Sequence, residues 1–311
     1  MLLEALLIPQ SFGQLVVFGL LAVMIVFLTQ ELLWRSVGGP GRDDKFGTVH
    51  ADEPGSIDPA AAGMAARRAA FRWWDPFLVL VIAAIAWLVG LVFLFGVVSV
   101  GWLLLGPKAK LGSVSAEFYV PLAAAATFYL ALLLVMRSLA KRRGRTLFAS
   151  YLPSIGIRPV IYAALSGISL TGIYLTGIFG LSLTSFFQNH PMPHEALPLP
   201  QSFGQLLAFG LLAIILAPLT EELYWRGLVL DCLQQKMAPW VSAAITALLF
   251  SLSHVLFLIQ PGIFGWMATA GITGLGLLAA FWVHCTRSLR PAIAAHASYN
   301  ATIVLCAFFF R

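Results

Sequence analysis

Residues 203–226 read FGQLLAFGLLAIILAPLTEELYWR. Eighteen residues without a charge precede Glu221, and as helix such a run covers most of the ~30 Å of a bilayer's hydrocarbon. An apolar run that ends in two carboxylates and a guanidinium reads as a transmembrane helix with chemistry near one end. Seven further apolar runs flank it, at 14–34, 76–105, 118–139, 158–181, 240–259, 262–283 and 291–310. The expected fold class is therefore all-α, a polytopic membrane helical bundle of about eight transmembrane helices.

The composition points the same way. Of 311 residues 60% are hydrophobic and 10% charged, and the mean hydropathy is +0.90, beyond what a solvated surface tolerates. The formal charge of +6 does not mark a nucleic-acid partner, because the basic residues sit in short connections between apolar runs. Cys232, Cys285 and Cys306 are too few for a disulfide framework and fit no metal-ligand spacing. The first run lacks a basic lead-in and a small-residue cleavage site, so it reads as a retained span.

Lysine and arginine orient the bundle. The connections after spans one, three, five and seven hold 16 of the 19, including Arg35, Arg42, Lys45, Arg67, Arg137, Lys141, Arg142, Arg143, Lys236 and Arg287. The opposite side has only Lys108, Lys110 and Arg311. The positive-inside rule then places both termini outside the cytoplasm, in a membrane of the bacterial inner type. The connection at 36–72 is rich in Gly, Pro, Ala and charge of both signs, and is expected to be a flexible cytoplasmic loop. The segment 188–201, with four prolines and His190 and His194, reads as an exterior loop with solvated histidines.

The chain repeats itself once. Glu4–Ser36 aligns without gaps with Glu195–Gly227, identical at 21 of 33 positions. The two helices are the first and fifth spans, with three between them, and so are parallel, in agreement with the charge rule. Where the second copy has Glu221, the first has Gln30. An amide keeps a hydrogen-bonding position but takes no proton at neutral pH, so any proton transfer falls to Glu221.

Ionisable residues inside spans are costly, and they cluster here. Arg226 follows Glu222 by four, the spacing of a helical ion pair. The turn between spans five and six should fall at Met237-Ala238-Pro239. Glu221 lies 16 residues before Met237 and His254 lies 16 after Ala238, so an antiparallel hairpin sets both about 24 Å from the turn. His296 and Asn300 share one face of the last helix. Convergence requires helices five and six to project about two turns past the membrane face, with the site open to the cytoplasm. A carboxylate, two imidazoles and a carboxamide suit hydrolysis by an activated water. They also suit zinc on Glu221, His254 and His296, and the cofactor stays open between none and Zn2+.

Glu221-Glu222-x-x-x-Arg226, Phe250-x-x-x-His254 and His296-x-x-x-Asn300, in this order, resemble the three motifs of the CAAX-protease and bacteriocin-processing (CPBP/Abi) family of intramembrane endopeptidases. The resemblance divides the chain into N-terminal transmembrane helices over 1–200 and an intramembrane protease domain over 201–311. It implies a glutamate-activated water, with Glu221 as base, His254 as its partner, and His296 and Asn300 at the oxyanion. Glu222 and Arg226 would be supporting residues. Described members include metalloproteases and metal-free glutamic proteases, and the eukaryotic substrates are prenylated CAAX proteins. The implied partners are a protein or peptide substrate at the membrane, lipidated in the eukaryotic case, and the bilayer itself. Two other classes compete: a non-catalytic membrane binding or immunity protein using the same pocket, and an ion-coupled transporter.

Overall fold

Asp75 sets the start of the first described helix. Its carboxylate accepts from the Arg72 backbone N–H at 2.8 Å and pairs with Arg143 at 3.1 Å, so a buried acid sits where a helix N-terminus favours it. The computed structural model describes residues 72–105, 113–143, 146–182, 200–254 and 263–309. The expected first span, the 36–72 loop but for Arg72, the first repeat copy, and His190 and His194 lie outside the described residues.

The described elements are all helices: α1 (Asp75–Leu105), α2 (Ser113–Arg142), the short α3 (Leu147–Tyr151), α4 (Ile157–Ser182), α5 (Phe203–Gln234), α6 (Pro239–Leu252), α7 (Ile263–Thr286) and α8 (Leu289–Phe309). Six of them are long and apolar enough to cross a membrane, and the protein is an integral membrane helical bundle. Large apolar side chains such as Phe77, Val92, Phe203 and Trp266 face outward, 61–75% exposed, because the surrounding solvent is lipid. The expected sixth span is shorter than its apolar run. α6 has 14 residues, about 21 Å of helix, and does not cross on its own.

α5 is the axis of the molecule. Ser202 caps it, its hydroxyl accepting from the Gln205 N–H at 3.3 Å, while the Gln205 side chain accepts from the Gln201 N–H at 2.6 Å, a variant of the capping box. One buried cluster joins Leu223, Tyr224 and Leu228 of α5 to Val79 and Ala83 of α1 and to Leu132, Met136 and Ala140 of α2. A second joins Phe250, Leu275, Trp282, Ala295 and Tyr299 of α6, α7 and α8 to Ala163 and Leu170 of α4. Trp225 packs against both. Glu221 and Glu222, just before Trp225 in the chain, therefore lie between the two halves of the core.

Small residues allow the close crossings. A Cβ at Gly167 would run into the Ala295 carbonyl and Ser298, so α4 and α8 touch backbone to backbone. The Ser298 hydroxyl donates to the Ala164 carbonyl at 2.8 Å across that contact. A Cβ at Gly276 would lie 2.9 Å from Ala247, which fixes α6 against α7. Such small-residue contacts are how helices approach closely in lipid.

Candidate active site

Two π-helical turns interrupt α5, at Leu211–Leu216 and Leu223–Val229. In the first, the Ala217 N–H reaches back five residues to the Leu212 carbonyl. The next residue is Pro218, which has no N–H to give. The Ala213 carbonyl is thereby left without a donor from its own helix, and the Asn300 side chain supplies one, Nδ2 donating at 2.7 Å. A proline and a widened turn thus dock α8 onto α5 through Asn300. The second amide proton of Asn300 is not used by that bond.

One helical turn further along α5 lies the charged cluster. Glu222 and Arg226 are fully buried and paired at 3.0 Å, the ion pair their spacing predicts. The Arg226 guanidinium also lies 4.5 Å from the centre of the Phe250 ring, a cation–π contact from α6. Glu222 takes His296 as a second partner, Nδ1 lying 2.8 Å from its Oε1. The other imidazole nitrogen, Nε2, lies 3.8 Å from Oε2 of Glu221. His296 therefore stands between the two carboxylates, one ring nitrogen toward each. Two carboxylates thus share one guanidinium and one imidazole in a buried cluster.

Glu221 itself is 7% exposed. The Tyr129 hydroxyl of α2 donates to its Oε1, whereas Oε2 is buried without a hydrogen bond. Nothing in the sequence marks Tyr129 for chemistry, because a lone tyrosine in an apolar helix looks like packing. The available signal was its phase, since Tyr129, Leu132, Met136 and Ala140 fall on one helical face.

His254 departs from expectation in its setting. The sequence places it within the sixth helix, but α6 ends at Leu252 and His254 occupies the turn beyond. The Ser253 hydroxyl donates to the Phe250 carbonyl at 2.6 Å, and the His254 N–H reaches only as far as Ser251 at 3.0 Å. Side chains that compete for backbone carbonyls end helices in this way. His254 Nδ1 also lies 2.8 Å from the Phe250 carbonyl. The Phe250 ring meets His254 at 4.8 Å and His296 at 5.7 Å between centroids, so both imidazoles rest edge-on against one aromatic.

The turn after α5 falls where proline requires it, with Pro239 opening α6. α5 continues to Gln234, 13 residues past Glu221, while His296 lies seven residues into α8. α5 therefore extends beyond the start of α8 by several residues. Among the described residues no three His, Cys, Asp or Glu side chains gather into a metal-holding set. Nδ1 of His296 is engaged by Glu222 and Nδ1 of His254 lies against the Phe250 carbonyl, contacts that orient each ring and leave the question of a metal to the Nε2 atoms.

No curated protein and no solved structure matches the chain. Residues 203–302, from the first turn of α5 to the last turns of α8, are similar to the family described as Type II CAAX prenyl endopeptidase Rce1-like.

Proposed function

We propose that the protein is an intramembrane endopeptidase that hydrolyses a membrane-anchored protein or peptide with a water activated by Glu221. The observation that carries this reading is the unequal pair of oxygens on that carboxylate. Oε1 accepts from Tyr129 and Oε2 has no hydrogen bond. Glu222 Oε2 is likewise unbonded, but Glu222 is tied through Oε1 to Arg226 and His296, whereas among the described residues no Lys or Arg pairs with Glu221. A general base needs an uncommitted lone pair at the site of proton transfer, and a buried carboxylate tolerates one only at a cost that function offsets.

The chemistry follows from the positions. Glu221 Oε2 removes a proton from a water, and the oxygen attacks the scissile carbonyl. The resulting oxyanion is met by the unused amide proton of Asn300, beside the His296 ring, both on α8. The tetrahedral intermediate collapses as the C–N bond breaks, and Glu221 returns its proton to the leaving amine. His254, resting on the Phe250 ring that also supports His296, helps orient the water. Glu222 and Arg226 hold His296 in place.

The substrate class is a protein held at the membrane by a lipid, a prenylated C-terminal CAAX sequence being the form the family match suggests. The basic ends of α2, α5 and α7, with Lys141, Lys236 and Arg287, face the cytoplasm in this reading, and both chain termini lie outside it. The test uses the full chain in nanodiscs with an internally quenched, farnesylated CAAX peptide. Wild type should cleave it, and Glu221→Gln should be slower by about 10²–10⁴-fold with an unchanged melting temperature. Full activity in Glu221→Gln would refute the proposal, and rescue of a deletion phenotype by that variant would support the binding-protein class.

A further inference from the structure

Tyr129 belongs to α2, outside residues 203–302 that match the protease family. Its phenol nevertheless reaches the carboxylate at the centre of the site. We propose that Tyr129 is a positioning residue for Glu221: by occupying Oε1 it fixes the carboxylate's rotation and keeps Oε2 as the proton acceptor. This inference rests on the protease reading given above.

Three observations support it. First, a phenolic hydroxyl in a membrane interior is costly unless bonded, and a phenylalanine would fill the same space without that cost. Here the hydroxyl is bonded to Glu221 and spans α2 to α5. Second, the ring is held from behind. Phe128 meets it edge-on at 5.8 Å, Trp87 of α1 meets Phe128 at 5.8 Å, and the Trp87 indole N–H donates to the Ala124 carbonyl at 2.7 Å. A donor fixed by its neighbours is already organised before substrate binds. Third, the remaining neighbour of Glu221 does not duplicate the bond. His296 Nε2 stands at 3.8 Å, beyond hydrogen-bond reach. Without Tyr129 the carboxylate could rotate and present either oxygen, and loss of alignment lowers the rate of the chemical step rather than substrate affinity.

The test compares wild type, Tyr129→Phe and Glu221→Gln, as full chains in nanodiscs. Two readouts are combined: kcat and KM on the farnesylated CAAX peptide, and infrared difference spectra in which the Glu221 carboxylate band is identified by its loss in Glu221→Gln. The expected result for Tyr129→Phe is a displaced Glu221 band, a kcat lower by about 10- to 100-fold, KM within about twofold and an unchanged melting temperature. An unmoved band would show that the bond is absent and overturn the inference. A displaced band with wild-type kcat would show a bond that does not position the base, and a fall in kcat with a matching fall in melting temperature would assign Tyr129 to packing. If Glu221→Gln remains fully active, the protease reading fails on its own count, and the positioning role fails with it. The band in Tyr129→Phe still reports whether the hydrogen bond exists.

Discussion

Removing the Arg226 guanidinium should be among the most damaging single changes in the chain. Arg226 and Glu222 are both without solvent exposure and lie 3.0 Å apart, and the guanidinium also covers the Phe250 ring. Arg226→Met keeps the aliphatic volume and deletes the charge, leaving Glu222 as a buried ion with only His296 as partner. Breaking such a pair from one side costs about 3–5 kcal/mol, most of it the stranded charge rather than the lost attraction. The loss of the cation–π contact adds about 1 kcal/mol. The double variant Glu222→Gln/Arg226→Met strands no charge and still offers His296 Nδ1 an acceptor, so it should recover to within about 1–2 kcal/mol of wild type. The assay is thermal and denaturant unfolding in detergent, read by maleimide dye reaction at Cys232, which is 4% exposed in the folded chain. A single-variant loss below about 1 kcal/mol, or a double variant as unstable as the single, would refute the argument that the charge is truly desolvated.

Other outcomes follow from particular contacts. Gly276→Ala should destabilise by about 1–3 kcal/mol, because its Cβ would press on Ala247 at 2.9 Å and on the Arg226 guanidinium at 3.2 Å. Gly172→Ala meets nothing within 4 Å and should be neutral or stabilising in the same unfolding assay. Asn300→Asp replaces an amide donor with an acceptor and sets it against the Ala213 carbonyl, so both cleavage and melting temperature should fall, cleavage by at least about tenfold. In a variant lacking the three cysteines, Lys141→Cys should react with a membrane-impermeant maleimide in inside-out vesicles and not in intact cells. The reverse pattern would invert the proposed orientation.

Much of this architecture was legible in hydropathy alone. The runs at 76–105, 158–181 and 262–283 correspond to Asp75–Leu105, Ile157–Ser182 and Ile263–Thr286, because in lipid the length of an apolar run and the length of a helix are set by the same thickness. The run at 240–259 misled, since hydropathy does not register that Ser253 and His254 turn their hydrogen bonds back on Phe250 and end the helix at Leu252. The Glu222–Arg226 pair was readable from spacing, as it is internal to one helix. Contacts between helices were not. That His296 would face two carboxylates, and that Tyr129 would cross from α2 to Glu221, depends on helix rotation, which a one-dimensional pattern of apolar residues leaves open. The two π-helical turns deepen that difficulty, because each shifts the phase of everything after it.

The widened turn before Pro218 changes how genetic data at this site should be read. Asn300 serves both as a fastener between α8 and α5, through the Ala213 carbonyl, and as a proposed oxyanion donor. An inactive Asn300→Ala enzyme would not distinguish the two duties. Pro218→Ala could separate them, since an alanine supplies the backbone N–H that the helix lacks and gives the Ala213 carbonyl a donor of its own. In that background Asn300→Ala no longer strands the Ala213 carbonyl, and a loss of cleavage that persists at an unchanged melting temperature belongs to the chemistry.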